Sequence, residues 1–319
     1  TKDTKVNTID TDATLAITLY ARWTPETLTV TYNGNGGMAG DKATVSGTSA
    51  TFDATYTILP NEGGTEFVRA GYSFAGWSLG SGDNNEILYS VEDLGENGKE
   101  ITFQYTSPLI LYAVWEAHTY TLVLDANDAN TPGSTATLIA GKNDEISLKY
   151  NESYTFENIF NKKGYTFVGW ATNAKTSADD FAGDVAGLGD GMIKNGETVS
   201  GLTAVDGGTY TLYAIWQADA VAYKVNFRVQ SVNSARAGST DLATAFENFT
   251  ADTISKTANA GTEINIETLM NAFESKYGAY KLAEHDIVSS AGEGNYTVQG
   301  GGSLVIDVYY TRGTYDVTI

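Results

Sequence analysis

The sequence predicts a β-rich α+β chain made of tandem modules in an elongated array, and three observations carry that expectation. The stretch Gly71-Tyr72-Ser73-Phe74-Ala75-Gly76-Trp77 returns as Gly164-Tyr165-Thr166-Phe167-Val168-Gly169-Trp170. Each copy is followed by a second signature, Leu111-Tyr112-Ala113-Val114-Trp115 and then Leu212-Tyr213-Ala214-Ile215-Trp216, and a further copy stands near the start, Leu19-Tyr20-Ala21-Arg22-Trp23. All five tryptophans of the chain lie in these five places. Repetition with a period of roughly 90–100 residues is the mark of an array of similar units, not of one large core.

Residues 1–23 read as the end of a preceding repeat. Thr14–Ala21 alternates and is β-rich, as a strand should be. Pro25 stiffens the joint Thr24–Thr27. A first whole module covers 24–116. It opens on the strand Leu28–Tyr32, and Asn33-Gly34-Asn35-Gly36-Gly37 supplies residues that tolerate positive φ, so a turn follows. A second strand lies within Lys42–Phe52, the glycine-aromatic strand covers Tyr72–Trp77, and a short strand is expected at Thr102–Tyr105 before the closing strand Leu109–Trp115.

The second module, 117–217, repeats the order from Tyr120–Leu124 to Leu212–Trp216. Phe156, Ile159 and Phe160 fall at helical spacing, which predicts a short helix within Glu152–Lys163. Residues Thr172–Asn195 form a long loop rich in glycine and aspartate. The third module, 218–311, lacks the tryptophans and keeps the order. Tyr223–Val229 is its opening strand, Ile266–Tyr277 a helix with Asn265 as N-cap and Gly278 as stop, and Tyr280–Leu282 stands where the glycine-aromatic strand stood. Leu304–Tyr310 closes it, and 312–319 looks like the start of a further module, so the array is expected to extend beyond this chain.

The recurring residues read as structural core: Trp23, Tyr72, Phe74, Trp77, Tyr112, Trp115, Tyr165, Phe167, Trp170, Tyr213 and Trp216. Strand alternation puts Tyr72 and Phe74 on one face and Ala75 and Trp77 on the other, and Gly76 suggests a bulge or a close backbone approach. A ring that buries about 150–250 Å² is worth roughly 4–6 kcal/mol gross, as an upper bound. The competing reading of the rings is a platform for stacking sugars. Their recurrence at the same point of each unit, inside strands, favours packing.

The pattern Gly-Tyr-x-Phe-x-Gly-Trp, a loop, then Leu-Tyr-Ala-x-Trp resembles the internalin B-repeat family, also called the Listeria–Bacteroides repeat. The resemblance covers residues 1–216. It implies small β-grasp (ubiquitin-like) modules in tandem on a bacterial surface protein. Residues 223–311 are similar only in layout, to β-grasp relatives of the mucin-binding-repeat type.

Composition narrows the function. The chain has 319 residues, no cysteine, 39 acidic against 19 basic side chains and a formal charge of −20. Disulfides, thiolate metal sites and cysteine nucleophiles are excluded. So strong an acidic balance argues against nucleic acid and against anionic bilayers. No 18-residue apolar run is present, so no membrane insertion is expected of this segment. His118 and His285 belong to no nucleophile or zinc pattern. Acidic pairs such as Asp179-Asp180 could do acid–base work in glycoside hydrolysis, and they read better as solvated loop. Asp125–Asn130 and Asp83–Glu86 place oxygen ligands at calcium-like spacing without the sixth-position glycine and closing glutamate.

The expectation is therefore a monomeric, non-catalytic stalk or adhesion region at the bacterial cell surface, without metal or cofactor. Its partners would be a host or neighbouring-cell surface protein or a glycan. The alternative is a glycan- or mucin-binding module that uses the long loops 78–108 and 171–209 or the third module.

Overall fold

The computed structural model describes residues 20–312, except 83–84, 131–132, 175–190, 237, 239, 243, 249–252 and 278–279. The expected strand at 14–21 up to residue 19, the expected strand at 314–319, the stop Gly278 and the pair Asp179-Asp180 lie outside the described residues. The chain divides into two compact units, Thr1–Glu116 and Ala117–Ile319.

The first unit is organised on one mixed five-stranded sheet. In sheet order its strands are Thr44–Ser46, Val30–Asn33, Leu109–Ala117, Tyr72–Ser78 and Tyr89–Ser90. The opening and closing strands are parallel, with Tyr32 opposite Leu111, and the outer pairs are antiparallel. Parallel neighbours need a long crossover, and everything between residues 34 and 108 supplies it. Two small antiparallel ladders cover one face. Thr27–Leu28 pairs with Ala50–Thr51, and Thr55–Ile58 pairs with Lys99–Thr102. The last strand was expected three residues later, at Thr102–Tyr105. The chain instead leaves the ladder after Thr102, and Phe103 is fully buried with its N–H bonded to Ala54 O. A one-turn helix, Val91–Leu94, starts from a reciprocal cap in which Ser90 accepts the Asp93 N–H and Asp93 accepts the Ser90 N–H.

The second unit holds two sheets. The first repeats the strand order just described: Glu145–Lys149, Thr119–Asp125, Thr209–Ala218, Tyr165–Ala171, Met192–Ile193. Again the opening and closing strands are parallel, with Leu124 opposite Leu212. No helix forms in 152–163. Phe156, Ile159 and Phe160 are buried as the periodicity implied, but on an irregular extended segment. Its backbone groups are taken by long-range partners, Phe156 N to Glu197 O and Gly196 N to Phe156 O, so no helical ladder is left to form.

The other sheet centres on Ala220–Gln230, parallel to Val305–Arg312 with Phe227 opposite Val308. Tyr280–Ser289 lies antiparallel beyond it, and Phe246–Asn248 and Ile254–Asn259 share the far edge. The helix Ile266–Tyr277 forms as expected, with Thr268 N–H bonded to the Asn265 side chain at 2.9 Å. It packs Phe273 flat on Phe227, 4.5 Å between centroids, and beside the fully buried Tyr310.

Candidate functional site

The signature residues build the interior of each module. Trp77 and Trp170 have no solvent exposure, and Trp115 and Trp216 are buried. Each indole N–H reaches a backbone carbonyl at 2.8–3.1 Å: Trp77 to Leu59, Trp115 to Gly34, Trp170 to Glu157, Trp216 to Ala126. A buried indole needs such an acceptor, and both copies find theirs in the same parts of the module. Phe74 sits 4.9 Å from Trp77 and 5.8 Å from Trp115, and Phe167 sits 5.2 Å from Trp170 and 5.6 Å from Trp216. Tyr165 is also buried, while Tyr72, Phe74, Tyr112, Phe167 and Tyr213 are half-buried.

Two expectations are corrected. Simple alternation set Phe74 opposite Trp77, yet their rings touch. In the second copy the pairing register slips between Phe167 and Gly169, a bulge that turns Phe167 to the face of Trp170. The glycine before each tryptophan is required by the neighbouring strand. A Cβ on Gly76 would lie 2.3 Å from Tyr89 O, and one on Gly169 would lie 2.7 Å from Ile193 O. Trp23 is not core. It is 88 % exposed in a segment without strand pairing, beside Pro25, Phe52 and Tyr105.

One device escaped the sequence reading. Asn33 accepts the Asn35 N–H, and Asn35, at positive φ, donates its amide to Ala113 O at 2.8 Å. Asp125, Asn127 and Ala214 repeat this with distances of 2.7 and 3.0 Å. The side chain thereby pins the first turn to the closing strand. The signal was the Asx-x-Asn spacing, repeated at the same offset from each opening strand.

These bonds engage side chains of the calcium-like stretch. Asp125 is engaged by its turn, Asn127 by Ala214, and Asp128 by the ammonium of Lys162 and the Ala136 N–H. The Lys162 side chain is fully buried, with its charge near the rings of Tyr165 and Trp216. Among the described residues no group of three or more His, Asp or Glu side chains is placed to hold a metal ion. Asp83 lies outside the described residues. His118 Nδ1 is 2.7 Å from Ala204 O, and the His285 side chain lies outside the described residues. Burial pushes the phenols of Tyr32, Tyr89 and Tyr310 well above the ordinary value of 10.0. In each case desolvation of the phenolate dominates, as in a packed interior.

Among the described residues of the second unit a polar cleft of about 560 Å³ opens to the surface. Asp128, Ser134, Thr135, Asn295, Thr297 and Gln299 line it, and no aromatic ring does.

With the repeated interior described, comparison with known families is direct. The model of the Listeria–Bacteroides repeat domain matches residues 29–114 and 120–187. The chain carries two tandem Listeria–Bacteroides repeats. The repeats also find relatives in Evansella cellulosilytica. One, named "Putative membrane protein", is 29 % identical over 171 residues, covering 53 % of this chain and 21 % of its own length. Another, named "Putative Gly-rich membrane protein", is 28 % identical over 233 residues, covering 72 % and 21 %. The chain thus spans about a fifth of the length of these relatives. Among solved structures, the Bacillus anthracis TIE protein is similar at 12 % identity and a TM-score of 0.26, covering 66 % of this chain and 36 % of that one. That score is too low to establish a common fold. No helix among the described residues is long and apolar enough to cross a membrane, which leaves β-barrels unaddressed.

Proposed function

We propose that this chain is a non-catalytic repeat region of a bacterial cell-surface protein, exposed outside the cell, that acts as a stalk and adhesion module. The observation that carries the reading is the inward use of the aromatics. Trp77, Trp115, Trp170 and Trp216 are spent on the interior and on carbonyl bonds, so these four indoles are unavailable to a ligand. The names of the Evansella relatives agree with a place at the cell envelope. Each repeat is proposed to be a β-grasp module. Support comes from the sheet order, in which the first and last main strands are parallel neighbours at the centre and the other strands flank them.

The test is replacement. In a surface protein built to carry this chain, residues 24–312 would be exchanged for an unrelated repeat array of matched length, and surface labelling and cell adhesion would be compared. A spacer predicts that adhesion survives a matched-length exchange and falls with shortening. Loss despite matched length would reject the spacer. A second reading, glycan binding, is favoured by the polar cleft lined by Asp128, Asn295 and Gln299. A glycan and mucin array probed with the whole chain separates the two, since a spacer gives no signal.

A further inference from the structure

The sequence set the boundary between the second and third modules at residues 217 and 218. In the structure the strand Thr209–Ala218 runs into the strand Ala220–Gln230 with Asp219 alone between them. Asp219 is fully engaged: its N–H donates to Gly164 O at 2.8 Å, its carbonyl accepts the Ala260 N–H at 3.0 Å, and its carboxylate accepts the Thr166 hydroxyl at 2.8 Å. No slack remains in the connection.

Beyond the strand, the two modules meet backbone to backbone. Gly300 N–H donates to Gly133 O at 3.0 Å. A Cβ on Gly300 would lie 1.9 Å from Lys163 O, one on Gly164 would lie 2.4 Å from Gly300 Cα, and one on Gly133 would lie 2.6 Å from Val298 O. Such approaches admit glycine only. The Tyr165 hydroxyl donates to Ala260 O at 3.2 Å. Ala260 belongs to the third module by chain position and packs in the core of the second, while Val221 packs against both cores.

We infer that the third module presents a glycine-lined docking face, built from Ala260, Gly261, Val298 and Gly300, whose partner is the Gly-Tyr tip of a Listeria–Bacteroides repeat, and that the docked pair moves and unfolds as one body. The tip is Gly164-Tyr165, the first two residues of the repeat signature, so the aromatic motif serves the joint as well as the core. Flat backbone on one side and a glycine followed by a donor ring on the other make the contact selective for a repeat. A module whose loop carries any side chain at position 300 is kept away by Lys163 O.

The inference rests on the stalk reading only for its purpose, and its test is made in solution on the whole chain, so the two fail separately. The chain has no cysteine, so Ser147→Cys and Ser275→Cys, at exposed positions in the second and third modules, take spin labels specifically. The expected interspin distance distribution is single and narrow. Gly300→Val is expected to broaden it into several distances. Gly301→Ala, whose new methyl group would meet only Ser303 Oγ at 3.9 Å, is expected to leave it narrow. A broad distribution in the parent sequence, or an unchanged one in Gly300→Val, overturns the inference. Calorimetry of the unsubstituted chain gives a reading that no variant's folding can confuse. One transition for residues 117–312 supports the docked pair, and two separate transitions for its modules overturn it.

Discussion

Replacing Trp77 with alanine tests the role of the signature most sharply. The ring has no solvent exposure and packs within 5.0 Å of Tyr32, 4.9 Å of Phe74 and 6.2 Å of Phe67, centroid to centroid. Large-to-small substitution of such a ring costs about 3–5 kcal/mol, because the surrounding groups relax only partly into the cavity. The Leu59 carbonyl also loses its 2.9 Å bond to the indole N–H, which costs about 1–3 kcal/mol if no water replaces it. A domain has roughly 5–15 kcal/mol in all, so the first module should be left near the limit of folding. For a module of this size each kcal/mol moves Tm by about 4–8 °C, so the cavity alone is expected to lower it by roughly 12–40 °C. Scanning calorimetry of the whole chain is the assay, since two units give separable heat absorption. The transition of residues 117–312 should stay in place, because that unit is a separate compact body. A shift of the first unit's transition by less than about 4 °C, the equivalent of 1 kcal/mol, would refute the account of the indole as internal scaffold.

Three further outcomes follow from the same geometry. Gly169→Val should destabilise the second unit by at least about 2 kcal/mol, because its Cβ would press on Ile193 O, and urea unfolding of the second unit reads this directly. Asp128→Ala strips the partner from a fully buried ammonium. The expected loss is about 2–4 kcal/mol, below the range for a wholly buried pair because a third of the Asp128 side chain reaches water. The double variant Asp128→Ala with Lys162→Met should recover most of it. Tyr32, Tyr89 and Tyr310 have folded-state values raised above 10.0 by burial. Their neutral forms are favoured in the folded chain, so their contribution is complete below about pH 10 and is lost as pH rises from there toward the raised values. Circular dichroism should be flat between about pH 7 and 9 and should fall above about pH 10. Ordinary phenol titration with the fold intact would contradict the burial.

Much of this fold was legible because its signals are local. The order of strands follows period-2 segments, punctuated in the first module by the Asn-Gly turn at 33–36, and the helix Ile266–Tyr277 follows one apolar stripe with a side-chain cap at Asn265. What failed depended on partners far away in sequence. Phe156, Ile159 and Phe160 have helical spacing, but Glu197 and Gly196 take the backbone groups of Phe156. Phe74 was set on the wrong face because a bulge of the kind seen between Phe167 and Gly169 inverts alternation, and sequence marks it only by a glycine whose reason is the adjacent strand. Trp23 carries the same motif as Trp115 and lacks the described sheet that would bury it. The tight joint at Asp219 was not legible, because glycines at 133, 164 and 300 look like loop residues until they are seen facing one another. The polar cleft was not legible either, since Asp128 and Gln299 are brought together only by that docking.

The central claim is that the repeated indoles are closed inside the modules. Hydrogen exchange of the five indole N–H protons, followed by NMR on the whole chain, addresses it without any substitution. Four of them, on Trp77, Trp115, Trp170 and Trp216, are predicted to exchange slowly and to ignore added mono- and disaccharides, with Trp23 exchanging fast. Fast exchange at any of the four, or a shift of their signals on titration with sugar, would contradict it.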